Sequence, residues 1–188
     1  MPKVGVVAMQ GDFAKHIEAL ERCCLAPSGI VEVRTPEDLA EVDRVILPGG
    51  ESTTVGMLME RFGLGQALRE RAAEDMPIWG TCMGMILMAH EVENRQQYTL
   101  DLLDVTIRRN AFGAQVHSFE DEVEVDGMEE PVMGVFIRAP VVTRTGEAQE
   151  IARYEGQIVA VRQGRRLGTS FHPELTEDTR MHEFFLGL

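Results

Sequence analysis

Three short stretches carry residue types able to do covalent chemistry. The first reads Gly80-Thr81-Cys82-Met83-Gly84, between an apolar run and a helical pattern. A cysteine in a Gly-x-Cys-x-Gly turn from strand to helix sits on a sharp elbow, exposed, with the first helical amides aimed at its sulfur. A lone cysteine is as a rule a buried, inert one; this pattern in this place favours a nucleophile. The second stretch, Ser170-Phe171-His172-Pro173-Glu174, follows far along the chain. Proline keeps the residue before it extended, so His172 and Glu174 can point to one side, roughly 6–7 Å apart along the chain. One imidazole nitrogen then faces the thiol and the other the carboxylate, the logic of nucleophile, base and orienting acid. The third is Leu47-Pro48-Gly49-Gly50-Glu51-Ser52. Its glycines let backbone amides approach a ligand, and the Gly50 and Met83 amides together would form an oxyanion hole. Taken singly, His-Pro-Glu also reads as a surface loop, and Gly-Gly as a turn capped by Ser52.

The elements that must position these stretches follow from the hydrophobic pattern. Val4–Ala8 is a short, β-branched apolar run, as expected of a strand buried on both faces, and Ile30–Val33, Val45–Leu47 and Pro77–Trp79 read as the next three strands. Between them lie helical patterns: Phe13, Ile17, Leu20 and Cys24 on one face behind a possible Asp12 cap, then Pro36–Leu39, Thr53–Arg61, Leu64–Ala73 and Met83–His90. Strand-like runs follow at Val105–Ile107, Val123–Val125, Val132–Ile137, Ile158–Val161 and Leu167–Phe171, before a closing helix over Thr176–Leu186. The half-acidic stretch Glu120–Glu130 suits a half-exposed strand. This rhythm predicts an α/β fold: a mostly parallel open sheet, flavodoxin-like, with helices on both faces and an antiparallel extension at one edge. In such a sheet ligands sit beyond the carboxyl ends of the strands, where the loops after the third and fourth strands open.

Composition narrows the function. The 188 residues correspond to about one domain, so one domain over 1–188 is expected. Eighteen basic against 31 acidic side chains leave a net charge of −13, which argues against nucleic acid or an anionic membrane as partner. No apolar run approaches the roughly 20 residues of a membrane span, and the apolar start is too short for a signal peptide. Three cysteines without metal-type spacing fit a reducing cytoplasm rather than a disulfide framework.

The three stretches together resemble the class I (triad) glutamine amidotransferases, and more narrowly the glutaminase-subunit family of pyridoxal 5′-phosphate synthases. The narrower resemblance rests on Val4-Gly5-Val6 through Gln10-Gly11, His16-Ile17, Gly49-Gly50-Glu51-Ser52-Thr53-Thr54, Arg109-Asn110-Ala111-Phe112-Gly113, Gln115-Val116, Ser118-Phe119-Glu120, Phe136-Ile137-Arg138-Ala139-Pro140 and Phe171–Thr176, in family order along nearly the whole chain. It implies that Cys82 attacks the glutamine carboxamide, with His172 as acid and base and Glu174 orienting it. Gly50, Glu51, Ser52, Arg109, Ile137 and Arg138 would bind L-glutamine. On sequence alone, Arg109 and Arg138 read rather as surface cations that balance an acidic protein. The resemblance further implies ammonia delivery to a synthase subunit in a hetero-oligomer making vitamin B6, no metal or organic cofactor, and both hydrolase and lyase labels. Gln10 and the surroundings of His16 would lie near that partner, although His16 by itself reads as a solvated helix residue. A glutaminase serving a different acceptor synthase is the alternative.

Two positions depart from the family pattern: Met83 replaces a small residue beside the nucleophile, and Trp79 a phenylalanine. Other residues read as bland. Of the adjacent Cys23 and Cys24, burial of one is expected rather than redox work. His90, His117 and His182 lack ligand partners at metal spacing and read as structural or solvated. Met57, Met59, Met83, Met85 and Met88 read as adaptable core packing.

Overall fold

The computed structural model describes residues 2–111 and 118–188. Its strands are β1 (Val4–Val7), β2 (Ile30–Val33), β3 (Arg44–Leu47), β4 (Ile78–Thr81), β5 (Ala89–Val92), β6 (Leu103–Arg108), β7 (Phe119–Val123), β8 (Val132–Phe136), β9 (Val141–Thr145), β10 (Gln149–Tyr154), β11 (Gln157–Gln163) and β12 (Arg166–Thr169). Its α-helices are α1 (Phe13–Arg22), α2 (Pro36–Ala40), α3 (Ser52–Arg61), α4 (Leu64–Ala73), α5 (Met83–Met88) and α6 (Arg180–Leu186).

The main sheet runs β2-β1-β3-β4-β12-β11-β9-β6-β5, with β10 paired to β11; β7 and β8 form a separate ribbon. Pairing is parallel from β2 across to β12, antiparallel through β11 and β9 to β6, and parallel again between β6 and β5. Alternation along the strands divides the core between two faces. Val7, Val45 and Leu47 pack with Leu39, Met59, Leu68 and Met85 from α2 to α5. Val4, Val6 and Ile46 pack with Leu20, Phe171, Phe185 and the β7–β8 ribbon on the other face. The α/β architecture expected from the sequence is therefore the one observed.

Local chemistry explains where elements start and stop. Thr35 and Asp38 form a reciprocal capping box at α2, with Pro36 in the first turn. Glu51 caps α3, its carboxylate accepting from the Thr53 and Thr54 amides. Asp12 stands at the N-cap of α1 but makes no side-chain cap bond, contrary to expectation. Helix α5 stops at Met88, short of the expected His90. The Leu87 and Met88 carbonyls accept from the Leu100 and Leu102 amides, and the chain turns straight into β5. Strands β9 and β10 and the exposed-edged β5 were not expected, because their polar residues break any apolar run. The closing helix begins at Arg180 rather than Thr176, after a 3-10 turn over Pro173–Leu175. Cys24 lies beyond α1 in a left-handed conformation (φ 62°), exposed, instead of on the helix face. Among the described residues, no helix is long and apolar enough to cross a membrane.

Candidate active site

Parallel pairing of β4 with β12 closes the long sequence gap between thiol and imidazole. Thr81 is in register with Thr169, and the Cys82 amide donates to the Thr169 carbonyl at 2.7 Å. Cys82 is thus the first residue past one strand end, and His172 the third past its neighbour. Cys82 adopts φ 49°, ψ −102°, a positive-φ conformation that side chains rarely occupy. Such a conformation survives only where the surroundings impose it. The flanking glycines impose it by close packing rather than by unusual dihedrals. A β-carbon on Gly84 would strike the Leu47 carbonyl oxygen at the end of β3, and one on Gly80 would lie 2.6 Å from the Met85 nitrogen. Helix α5 can therefore rise tightly across β3 and β4. Met83 turns into the core with only 2% exposure, so its bulk stays out of the site while its amide remains at the elbow. Trp79 is fully buried, its indole N–H donating to Thr169 Oγ1 at 3.1 Å.

His172 is held from several sides. Its amide donates to the Val135 carbonyl of β8 at 2.8 Å, and the preceding Phe171 is fully buried against Phe136. Its Nδ1 lies 2.7 Å from Glu174 Oε1, and both side chains are almost wholly buried. The Cys82 thiol lies close enough to the ring to act on its ionisation. Burial penalises the charged ring, but the bonds and charges of Cys82 and Glu174 outweigh that and raise its pKa well above the ordinary imidazole value. A β-carbon at Gly49 would collide with this ring, so glycine there is a condition of its placement. Asp12 Oδ2 comes within 3.9 Å of His172 Nδ1. The strand ends of β4 and β12 thereby gather sulfur, imidazole and carboxylate in one place.

The loop after β3 lies alongside. Gly50 and Glu51 are exposed, whereas Ser52 is buried in the first turn of α3. Amide bonds from Thr54 and Thr53 outweigh the small cost of burial and hold the Glu51 carboxyl down at about 2. Arg109 Nη2 stands 4.0 Å from Glu51 Oε1, and Arg109 also donates to Gln97 Oε1 at 3.2 Å. Gln97 reaches in turn toward Ser52 Oγ at 3.4 Å, and Arg95 donates to Thr53 Oγ1 at 2.9 Å. Arg109 is thus tied into the loop, a partly buried residue rather than a free surface cation. Ile137 and Arg138 are exposed at the end of β8, with the Ile137 carbonyl 4.0 Å from the Cys82 sulfur and Arg138 at φ 46°. The Gln10 side-chain oxygen accepts from the Glu51 amide at 3.1 Å. Phe112, Gly113, Gln115, Val116 and His117 lie outside the described residues.

Sequence reasoning missed three neighbours of this cluster. His16 is fully buried instead of solvated, 3.5 Å by Nε2 from Glu174 Oε2, so it cannot touch a partner directly. His182 is fully buried against it, with 2.9 Å between their ring nitrogens. Helical spacing held the signal, since His16 shares the inward face of α1 with Phe13, Ile17 and Leu20. Gln97 lay in a polar stretch that carries no pattern. Elsewhere His90 pairs with Asp101 on the surface at 2.8 Å. Met59, Met83, Met85 and Met88 are core residues, but Met57 is 62% exposed.

Comparison with known proteins places the chain in a family. A model of the SNO glutamine amidotransferase family matches residues 6–187. Two curated relatives carry the name pyridoxal 5′-phosphate synthase subunit PdxT. One, from Herpetosiphon aurantiacus, is 52% identical over 98% of this chain and 99% of its own. The other, from Streptomyces coelicolor, is 51% identical over 100% of this chain and 93% of its own. A crystal structure described as a glutamine amidotransferase superposes with a TM-score of 0.92 at 46% identity, covering 98% of this chain and 97% of that one. A Thermotoga maritima glutamine amidotransferase, at 15% identity and TM-score 0.65, shares the fold over 99% of this chain and 83% of its own. These matches correct one expectation: the lyase label does not hold. The matched family is one of amidotransferases, and opening a glutamine amide with water is a hydrolase reaction.

Proposed function

The chain belongs to the SNO glutamine amidotransferase family, and we propose that it is the glutaminase subunit of a pyridoxal 5′-phosphate synthase, with Cys82, His172 and Glu174 as its catalytic triad. The observation that carries the reading is the buried 2.7 Å His172–Glu174 pair at the strand ends beside a cysteine at φ 49°.

The Cys82 thiolate adds to the glutamine carboxamide carbon, and the Met83 and Gly50 amides stabilise the oxyanion. His172, already carrying a proton, gives it to the departing nitrogen, and ammonia leaves a γ-glutamyl thioester. The neutral ring then takes a proton from water as that water attacks the thioester, releasing glutamate and restoring the thiolate–imidazolium pair. Glu174 keeps the ring in the tautomer and orientation that both halves need. Glu51, Ser52, Arg109, Ile137 and Arg138 hold the amino-acid end of glutamine, where a guanidinium suits a carboxylate. One glutaminase domain spans residues 1–188. All the cysteines are free, in keeping with work in the cytoplasm. Ammonia freed into water becomes ammonium, so it passes to the synthase subunit, whose docking switches the glutaminase on.

Glutamate production by the chain alone, with the synthase subunit, and with other class I acceptor synthases tests this reading. Stimulation by the pyridoxal 5′-phosphate synthase partner, lost in C82A, is the expected result. Full activity of the isolated chain would refute the docking switch, and stimulation by a different acceptor would refute the choice of synthase.

A further inference from the structure

Behind the proposed triad lies a second line of buried polar groups that the reaction above does not use. Only one oxygen of Glu174 serves His172. The other, Oε2, is buried without a hydrogen bond, and His16 Nε2 stands 3.5 Å from it. His16 Nε2 is also 3.0 Å from Thr81 Oγ1, one residue before the nucleophile. On its far side, His16 Nδ1 meets His182 Nε2 at 2.9 Å, while His182 Nδ1 is buried with no partner. The Trp79 ring stands edge-on to both imidazoles, with centroids 5.6 and 4.9 Å away. The titratable groups around the pair are Glu174 and His172 beyond β12, Arg22 at the end of α1, and Asp178 before α6.

Two proton arrangements are open to this pair when both rings are neutral. If His16 carries its proton on Nδ1, it donates to His182 Nε2. His182 must then bury an N–H at Nδ1 with no acceptor, and the bare His16 Nε2, although it can accept from Thr81 Oγ1, also faces a carboxylate oxygen. Both consequences are costly. If each ring carries its proton on Nε2, His182 donates to His16 Nδ1, and His16 Nε2–H faces Thr81 Oγ1 and Glu174 Oε2. What remains unpaired is one acceptor nitrogen, a lesser loss. The second arrangement wins, and it aims a fixed donor at the free oxygen of the carboxylate.

Resting on the triad reading above, we propose that His16 is a positioning residue for Glu174, and that His182 sets the His16 tautomer that makes it a donor. The carboxylate is clamped between two imidazoles, one reacting and one not. Thr81 links the same clamp to the elbow that carries Cys82. Burial keeps the clamp neutral: His16 lies well below the usual imidazole range through desolvation and its histidine neighbours, and desolvation takes His182 down to about 3.

Two measurements test the clamp. Nitrogen-15 NMR of histidine-labelled, unmodified protein reads the tautomers directly: Nε2–H on both His16 and His182 is expected, and Nδ1–H on His16 would overturn the proposal. The second is the pH profile of Cys82 alkylation by iodoacetamide, followed by mass spectrometry in wild type, H16L and H16Q. Loosening Glu174 weakens the thiolate–imidazolium pair. H16L should therefore move the acid limb up by about one pH unit, tenfold in rate there. H16Q, whose amide N–H can occupy the place of Nε2–H, should restore most of it. A folded H16L with the wild-type profile would overturn the role, and if H16L does not fold the tautomers decide. Wild-type Cys82 reacting no faster than exposed Cys24 would instead refute the triad reading, leaving the clamp to the NMR result.

Discussion

Cys82 occupies a backbone conformation that its own β-carbon resists, at φ 49°. Strain of this kind costs on the order of 1–3 kcal/mol and persists where geometry serves a task. Replacing an ordinary residue by glycine usually destabilises by roughly 0.5–1 kcal/mol. Here the sign should reverse: C82G is expected to be more stable than C82A by about 1 kcal/mol in urea unfolding, and an ordinary glycine loss would show that the elbow is unstrained. Cys82, His172 and Glu174 were legible in the sequence because each sits in a short pattern whose spacing dictates a turn or an extended pair. His16 was not, because a polar residue on an apolar helix face looks solvated until its partner is seen. That partner, His182, comes from the last helix. Gln97 was silent for a related reason, since it acts through a loop whose course no periodicity records.

Helix α3 is capped by Glu51, a residue also proposed to bind glutamine, so the cap and the proposed pocket would share one carboxylate. Two amides hold that carboxyl down at about 2. Because the folded value is depressed, the stabilisation is present above the unfolded value near pH 4.3 and fades as pH falls toward 2. E51A should lose about 1 kcal/mol of stability at pH 7. The difference from wild type should vanish near pH 2, and glutamine binding should weaken at neutral pH. A cap loss that persisted undiminished in acid would contradict the assignment. At this scale the buried parallel strands β1, β3 and β4 announced themselves as short apolar runs, while the edge strand β2 carries an exposed Glu32 within its β-branched run. Strands β5, β9 and β10 did not, because AHEV, VVTRT and QEIARY each mix exposed polar residues into a half-covered edge. Pairing with neighbours distant in sequence, not local propensity, makes them strands.

The molecule as a whole carries a net charge of −13, yet its most consequential buried groups are histidines. As pH falls below about 6.5, His16 and His182 take up protons in the unfolded chain but stay neutral in the folded one. The unfolded state then binds more protons, so stability falls by up to about 1.4 kcal/mol per pH unit for each ring. His172 has the opposite sign: its contribution is complete below pH 6.5 and fades only as pH rises through its elevated value, so it does not steepen the acid side. Urea midpoints should accordingly drop between pH 6.5 and 5, before most carboxylates titrate, and flat midpoints would mean that the pair charges freely. The parallel core and the order of its helices could be read in advance because they follow from periodicity. The meeting of α1, α6 and β12 around one carboxylate could not, because it depends on three-dimensional closure. The most direct test of the central claim is mass spectrometry after treatment with a diazo-ketone analogue of glutamine, with the synthase subunit present. The expected result is a single adduct on the Cys82 peptide, suppressed by excess glutamine. Labelling spread over Cys23 and Cys24, or an adduct indifferent to glutamine, would contradict it.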